Sequence, residues 1–330
     1  MIFCRAPMRV SFLGGGSDLP EYYLEQPGFV VTAAIQKYIY LTVNTSFEDV
    51  VKLHYSNNET VESVDLLKHD LARTVLTNYS IKRRIEISSI SDLPASGTGM
   101  GSSSSYCNAL ISALHRYKNN ADLRPEDLAK LACDVEIRQL GKPIGKQDQY
   151  ISAYGGIKSF EFLSNEKVQV NKYNLDTGFF EDLQEHLLLL YTGITRSADK
   201  ILHLQASNTK NSPETKKIIS EVVKLARILD DNFKKEKHSI MGELLDEAWE
   251  LKKYYASTVT QEGLDYMYSM AKDAGAKGGK LLGAGGGGFF LLYAEPDAHK
   301  NIISKMHQYR FYKVAFALNG CEILFDSGDR

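Results

Sequence analysis

The stretch PASGTGMGSSSSYCNALISALHRYK, residues 94–118, decides the fold of this chain, because a glycine-rich loop in it runs directly into a helix. Three glycines, Gly97, Gly99 and Gly101, alternate before the predicted helix, which begins near Ser102. Apolar residues then recur along one side of that helix, at Ala109, Leu110, Ala113 and Leu114. The stretch follows the predicted strand RRIEISSI, so the order is strand, glycine loop, helix.

A loop of this kind can bind an anion. Glycine lets the backbone approach a ligand closely, and the first turn of a helix offers unpaired N–H groups and the positive end of its dipole. The hydroxyls from Ser102 to Ser105 can bind phosphate oxygens or a divalent cation. The alternatives are a flexible linker, or a serine N-cap without a ligand. The chain has no Gly-x4-Gly-Lys-Ser/Thr sequence, which excludes a Walker A loop, and no acid on a following strand completes a dinucleotide-binding pattern.

The composition is that of an ordinary globular protein, with 43% hydrophobic and 24% charged residues among 330. A formal net charge of −2 predicts no general attraction to nucleic acid or to an anionic membrane. No stretch approaches the roughly 18 apolar residues of a membrane span, and Arg5, Pro7 and Arg9 interrupt any apolar leader. The four cysteines form no zinc pattern. We therefore expect a cytoplasmic protein that binds neither nucleic acid nor membrane.

The pattern of helices and strands predicts an α+β fold in two halves. Strands are predicted at residues 8–14 and 29–43, and a long helix begins at Pro213 behind the N-cap Ser212. The chain closes with a predicted hairpin, KVAFALNGCEILF, in which Asn319-Gly320 suits a type I′ turn. The pattern of predicted helices and strands changes between residues 155 and 190, where we expect the two halves to meet.

Two further glycine clusters flank this loop along the chain. Residues 14–16 are all glycine and precede Ser17 and Asp18. An aspartate suits sugar hydroxyls, although an isolated one more often caps a turn. The sequence GAGGGG, residues 283–288, precedes the apolar run FFLLY. A tight turn needs one or two glycines, so five in six positions indicate close approach by a ligand or by another backbone.

Two carboxylates could supply the chemistry of a kinase, which needs one acid to bind Mg²⁺ and one group to orient or deprotonate the attacking hydroxyl. Glu136 lies on the helix after the glycine-loop helix, and Asp148 follows in GKQDQY. The basic neighbours Lys142 and Lys146 could keep Asp148 ionised. Candidate cations for a phosphate are Arg9 and Arg196. Taken singly, each of these residues is more often an ordinary surface residue.

Three glycine motifs in this order resemble those of the GHMP kinases, the galactokinase–homoserine kinase–mevalonate kinase–phosphomevalonate kinase superfamily. RAPMRVSFLGGGSD resembles the first motif, PASGTGMGSSSS the second, which holds the ATP phosphates, and KLLGAGGGGFF the third. Pro94 lies one residue further from the first glycine than in the family's Pro-x-Gly form. The resemblance implies a ribosomal-protein-like α/β domain over residues 1–175, a ferredoxin-like domain over residues 176–330, and an active site between them.

The resemblance also implies roles for the residues that match the motifs. Asp148 would be the catalytic base or would orient the sugar hydroxyl, and Arg9 would stabilise developing charge or hold Asp148. Mg²⁺ would be bound by Ser103 and Glu136. The ATP phosphates would lie on Ser96, Gly97, Thr98, Gly99, Met100, Gly101, Ser102, Ser103 and Ser104. The substrate would contact Gly15, Gly16, Ser17, Asp18, Arg196, Lys200, Gly285 and Gly286.

Within the superfamily, the first motif is most similar to the heptose 7-phosphate kinases, because two glycines replace the Glu-His pair of galactokinase-like members. The implied reaction is ATP-dependent phosphorylation of the anomeric hydroxyl of D-glycero-α-D-manno-heptose 7-phosphate to the 1,7-bisphosphate. The product would serve GDP-heptose synthesis for capsule or S-layer polysaccharide. The alternatives are a kinase for L-fucose or a hexose, and an inactive binding or regulatory protein. The acids and serines argue against the inactive protein, and we expect a monomer or homodimer.

Overall fold

A computed structural model of the chain describes residues 1–94, 97–173, 178–194, 198–255 and 262–328, with the backbone alone for residues 198–200, 255 and 262. The strands are β1 (Ile2–Leu13), β2 (Gly28–Thr45), β3 (Val51–His54), β4 (Asn58–Val61), β5 (Ile85–Ser91), β6 (Ile157–Phe162), β7 (Val168–Lys172), β8 (Leu187–Tyr191), β9 (Gly278–Leu281), β10 (Phe289–Tyr293), β11 (Arg310–Lys313) and β12 (Glu322–Asp326). The helices are α1 (Pro20–Tyr23), α2 (Asp70–Asn78), α3 (Ser102–Asn119), α4 (Pro125–Cys133), α5 (Gln147–Tyr154), α6 (Phe179–Glu185), α7 (Ala198–Asn211), α8 (Pro213–Phe233), α9 (Met241–Tyr255), α10 (Glu262–Asp273) and α11 (Pro296–Lys305).

The larger sheet is built around the long strand β2. Its strand order is β12-β1-β2-β5-β3-β4, and β6 pairs with both β2 and β7. Residues 28–33 of β2 pair with β6 and residues 39–45 pair with β5, so one strand holds two neighbours along its length. The pairs are antiparallel except for β3 with β5.

Helices α3, α5 and α8 all pack against β1 and β2. From Ala6 to Leu13 every residue of β1 is buried, which is the pattern of a strand covered by other elements. Helix α8 begins as predicted: Pro213 is its first residue, and the Ser212 side chain accepts a hydrogen bond from the Thr215 N–H at 3.2 Å.

The smaller sheet has the order β11-β8-β10-β9, and all its pairs are antiparallel. Its strands are rich in leucine and phenylalanine, and side chains such as Leu190, Phe290 and Leu292 form one apolar cluster with Trp249 of α9. Burial of these large side chains is the main stabilisation of this half, at about 25 cal/mol per Å² of apolar surface.

The predicted closing hairpin is wrong. Strand β11 pairs with β8 in the smaller sheet, whereas β12 pairs with β1 in the larger one. Neither Asn319 nor Gly320 has the positive φ that a type I′ turn requires. The two residues instead pack on Gly155, where a Cβ atom would lie 2.2 Å from the Asn319 carbonyl carbon.

The division at residue 175 stays a prediction, and in any division the last strand β12 belongs to the larger sheet. Of the helices that the structure describes, none is both long enough and apolar enough to cross a membrane.

Candidate active site

The glycine loop before α3 packs against the third glycine cluster. Gly97, Gly99 and Gly101 have φ of 73°, 70° and 74°, which L-residues with a side chain rarely adopt. A Cβ atom at Gly99 would lie 2.6 Å from the Leu282 carbonyl oxygen, and one at Gly283 would lie 2.4 Å from the Gly99 Cα. The glycines of residues 283–288 were expected to allow close approach by a ligand or by another backbone. At Gly283 the second explanation holds, because the backbone of Gly99 lies against it.

Glu136 is buried beneath the first turn of α3. It lies in a π-helical turn, Asp134–Gln139, that extends α4. Its Oε1 accepts a hydrogen bond from Ser103 Oγ at 2.7 Å, and its Oε2 accepts bonds from Ser104 Oγ at 2.7 Å and Gln149 Nε2 at 2.8 Å. Lys142 Nζ lies 3.3 Å from Oε1 and 3.1 Å from Ser103 Oγ. A carboxylate, a hydroxyl and an ammonium group therefore meet at the start of α3.

Asp148 is held by Arg9, not by its neighbours in sequence. The guanidinium donates from Nε to Oδ1 and from Nη2 to Oδ2, both at 2.8 Å, and Nη1 donates to the Gly99 carbonyl. Arg9 is only 5% exposed, so this bidentate pair is largely shielded from water. The prediction that Lys142 and Lys146 keep Asp148 ionised is not supported, because Lys142 pairs with Glu136 and Lys146 lies over the Tyr23 ring.

Asp18 is buried beside Asp148. Its Oδ1 accepts a hydrogen bond from the Gly16 N–H at 3.1 Å, and its Oδ2 accepts one from the Gln147 N–H at 3.2 Å. Burial, and next the charge of Asp148, raises the pKa of Asp18. Ser17 does not reach the cavity: its hydroxyl donates to the Gly14 carbonyl at 2.7 Å and accepts from the Phe29 N–H at 3.0 Å.

These groups line one cavity of about 640 Å³. The predicted site residues in its wall are Arg9, Gly15, Gly16, Asp18, Gly97, Thr98, Gly99, Met100, Gly101, Ser102, Ser103, Ser104, Glu136 and Asp148. Gly285 and Gly286 do not line this cavity. Ser96, Arg196 and the side chain of Lys200 lie outside the described residues.

Two buried lysines in the cavity wall were missed from the sequence. Lys252 of α9 donates to the carbonyls of Gly283 at 2.6 Å and Leu281 at 3.1 Å, and Lys280 donates to the Phe12 carbonyl at 3.0 Å. Burial, and next the charge of Lys280, lowers the pKa of Lys252, and burial lowers that of Lys280 to about 7. Lys280 opens the third motif and could have been noticed there, whereas nothing local distinguishes Lys252.

A second cavity of about 440 Å³ adjoins the first, and Ser102, Ser103 and Lys142 line both. Its other walls carry aromatic and apolar side chains, among them Tyr55, His69, Tyr106, Ile39 and Ile90. The start of α3 therefore lies between a polar chamber and a more apolar one.

Comparison with known proteins identifies the family. The models for the N-terminal and C-terminal domains of GHMP kinases match residues 63–156 and 231–313. The chain is 30% identical over 263 residues to a mevalonate kinase of Thermococcus sibiricus, covering 77% of this chain and 72% of that protein. The chain belongs to the GHMP kinases. It is an ATP-dependent sugar kinase of that superfamily.

Two further relatives resemble this GHMP kinase over almost its whole length. It is 28% identical over 328 residues to the D-glycero-alpha-D-manno-heptose 7-phosphate kinase of Campylobacter jejuni, and 95% of each chain is covered. The crystal structure of a D-glycero-D-manno-heptose 1-phosphate kinase from Bacteroides thetaiotaomicron matches with a TM-score of 0.81, 23% identity and 99% of each chain. The predicted two-domain GHMP kinase fold is thus confirmed.

GHMP kinases are ATP-dependent and generally use a divalent metal ion, and the residues of this GHMP kinase fit both groups. Three side chains of the cavity wall, Ser11, Thr98 and Gln147, each carry a buried oxygen without a hydrogen-bond partner among the described residues. Such atoms fit a polar ligand in the cavity. Ser103 and Glu136 offer oxygen donors only, as a hard divalent cation prefers.

Proposed function

We propose that this GHMP kinase transfers the γ-phosphoryl group of ATP to the anomeric hydroxyl of D-glycero-α-D-manno-heptose 7-phosphate. The observation that supports this reaction is the Arg9–Asp148 pair. The pair lies in one cavity with Asp18 and with residues 97–104, the proposed phosphate loop. The heptose is favoured by the similarity to the Campylobacter jejuni enzyme along both chains. The 1,7-bisphosphate would then serve GDP-heptose synthesis for a surface polysaccharide.

In this proposal Asp148 orients the anomeric hydroxyl and accepts its proton as the hydroxyl oxygen bonds to the γ-phosphorus and the bond to ADP breaks. Arg9 binds both oxygens of Asp148, so the carboxylate has a fixed direction. The same guanidinium reaches the Gly99 carbonyl, which ties the acid to the phosphate loop. Phosphoryl transfer depends chiefly on such positioning and on charge.

The ATP phosphates would be received by residues 97–104, at the positive end of the α3 dipole. Ser103 and Glu136 would hold Mg²⁺, which when bound neutralises charge on the phosphates. Lys142 contacts both residues and would supply a further positive charge there. The adenosine would enter the second cavity, because Ser102 and Ser103 line both chambers.

The sugar would occupy the other side of the cavity. Asp18 lies there, and the unpartnered oxygens of Ser11 and Gln147 would accept hydrogen bonds from sugar hydroxyls. A Cβ atom at Gly16 would lie 3.2 Å from Gln205 Nε2, another group of the cavity wall, so a large side chain at this position would change the shape of the cavity. Ser17 would act indirectly, by fixing the turn that carries Asp18.

The anchor for the 7-phosphate remains a prediction at Arg196 and Lys200. Lys252 and Lys280 are described lysines in the same wall, but both donate to backbone carbonyls and so hold the loops around the cavity. The role of Gly285 and Gly286 in substrate binding also remains a prediction. The same holds for the expected monomer or homodimer.

A panel of sugars and sugar phosphates in an ADP-release assay tests the proposal. Heptose 7-phosphate should give the highest kcat/KM, and mass and NMR spectra should place the new phosphate on the anomeric carbon. Preference for L-fucose or a free hexose would overturn the heptose assignment. Gly16→His should weaken binding of the sugar phosphate and leave ATP binding unchanged. Unchanged binding of the sugar phosphate would refute the inference that the glycines of the first motif contact the substrate.

A further inference from the structure

A cluster of histidine and carboxylate side chains lies at the end of the smaller sheet away from the active site. Asp182 belongs to α6, His186 follows that helix, and His238 lies in the turn between α8 and α9. One potential ligand atom from each lies within 4.8 Å of the others. The cluster is at the Leu187 end of β8, whereas Gly288 beside the phosphate loop meets the other end at Thr192. Leu187 and Thr192 are therefore separated by roughly 16 Å of extended chain at ~3.3 Å per residue.

The three side chains lie close enough together to bind one tetrahedral metal ion once Asp182 shifts away from His238. His238 Nε2 lies 2.7 Å from Asp182 Oδ2, and His186 Nδ1 lies 3.7 Å from Asp182 Oδ1. Ligand distances of about 2.0–2.2 Å in a tetrahedral zinc site place ligand atoms roughly 3.3–3.6 Å from each other. Two imidazoles and one carboxylate favour zinc or a similar transition metal over Mg²⁺ or Ca²⁺.

His186 faces a hydrogen-bond acceptor at each ring nitrogen. Nδ1 lies 2.9 Å from the main-chain oxygen of Asp182, and Nε2 lies 3.2 Å from Glu295 Oε2. Glu295 also accepts a hydrogen bond from Lys277 Nζ. A neutral imidazole has one donor and one acceptor. A neutral His186 ring can therefore donate to only one of these two oxygens, Asp182 O or Glu295 Oε2.

In both histidine rings, the nitrogen that faces away from the Asp182 carboxylate has a partner. Glu295 lies at Nε2 of His186, and the Tyr293 hydroxyl lies 2.9 Å from Nδ1 of His238. Histidines that bind metals commonly have a carboxylate or other polar group at the second nitrogen, which fixes the ring and its tautomer. These two partners leave Nδ1 of His186 and Nε2 of His238 on the side of Asp182.

We propose that Asp182, His186 and His238 form a structural zinc site that is separate from the catalytic metal. The Asp182 side chain is 59% exposed, so an ion can enter from solvent and a water can complete the tetrahedron. The ion would tie α6 to the turn before α9, replacing the direct contact between Asp182 and His238.

Zinc titration of the full-length, chelator-treated protein by calorimetry tests the site, with a folded state confirmed by circular dichroism. The wild type and Glu136→Gln should each bind one tight equivalent of Zn²⁺, and Co²⁺ should give the visible absorption of a tetrahedral nitrogen–oxygen site. His186→Gln and His238→Gln should lose both signals, whereas the exposed His307→Gln should keep them.

Tyr293→Phe provides a second measurement, because it retains all three proposed ligands. Loss of the outer hydrogen bond to His238 should weaken zinc binding by roughly 10–100-fold. The proposal is overturned if the folded wild type binds no zinc. It is also overturned if His186→Gln and His238→Gln bind as much zinc as the wild type. In either case the cluster is a network of hydrogen bonds that links α6 to the turn before α9.

Discussion

Asp148→Asn tests the proposed centre of the active site with a change of one charge and almost no change of shape. The carboxylate receives two hydrogen bonds of 2.8 Å from Arg9. Asparagine has one acceptor oxygen, so one of these charge-assisted bonds is lost and the amide N–H₂ faces the guanidinium. Because Arg9 is only 5% exposed, little water can replace the lost partner.

The magnitude of each effect follows from these contacts. Loss of one hydrogen bond to a charged group should lower the free energy of unfolding by about 1.5–3 kcal/mol. Loss of the group that orients or deprotonates the hydroxyl should lower kcat by about 10²–10⁴-fold. ATP affinity should change little, because Ser103 and Glu136 bond to each other and to Lys142 and not to Asp148.

Single-turnover ADP release measures the chemical step, calorimetry with a non-hydrolysable ATP analogue measures affinity, and urea unfolding measures stability. The matched control is Asp127→Asn, since Asp127 forms an exposed bidentate pair with Arg124 on α4. This control should leave kcat and stability nearly unchanged. Near-normal turnover of Asp148→Asn, or an equal loss in the control, would refute the reasoning.

Three further predictions concern the loop, the metal ligand and a buried lysine. Gly99→Ala should unfold more easily and lose ATP binding, because its Cβ would lie 2.6 Å from the Leu282 carbonyl oxygen. The control Gly263→Ala places its Cβ in open space and should not destabilise the protein. Equal melting temperatures of the two variants would contradict this prediction. Glu136→Gln should raise the Mg²⁺ concentration needed for half-maximal rate, and an unchanged requirement would remove Glu136 from the metal site. Lys280 loses its proton near pH 7 in the folded protein but near its ordinary 10.5 in the unfolded chain, so its contribution to stability rises with pH between these values. Chemical unfolding across this range should show a slope up to about 1.4 kcal/mol per pH unit steeper in the wild type than in Lys280→Met, and parallel curves would contradict it.

Local patterns account for the parts of the fold around the cavity that were predicted correctly. Alternating glycines before an apolar helix stripe predicted the loop and the start of α3, because positive φ and helix initiation are properties of a few consecutive residues. Ser212 and Pro213 predicted the start of α8 for the same reason. The closing hairpin failed because Asn319 and Gly320 are held by packing against Gly155, which overrides the turn preference of the pair.

The sequence by itself determined the family, the α+β fold, and most of the residue types in the cavity wall, since these follow from motifs and from short-range periodicity. Only the tertiary structure decided which charges meet. Arg9 pairs with Asp148 across 139 residues, Lys142 contacts Glu136 in place of Asp148, and Lys252 reaches the third glycine loop. Ion pairs of this kind depend on distances of a few ångströms between elements brought together by burial of the core, and no local pattern encodes those distances.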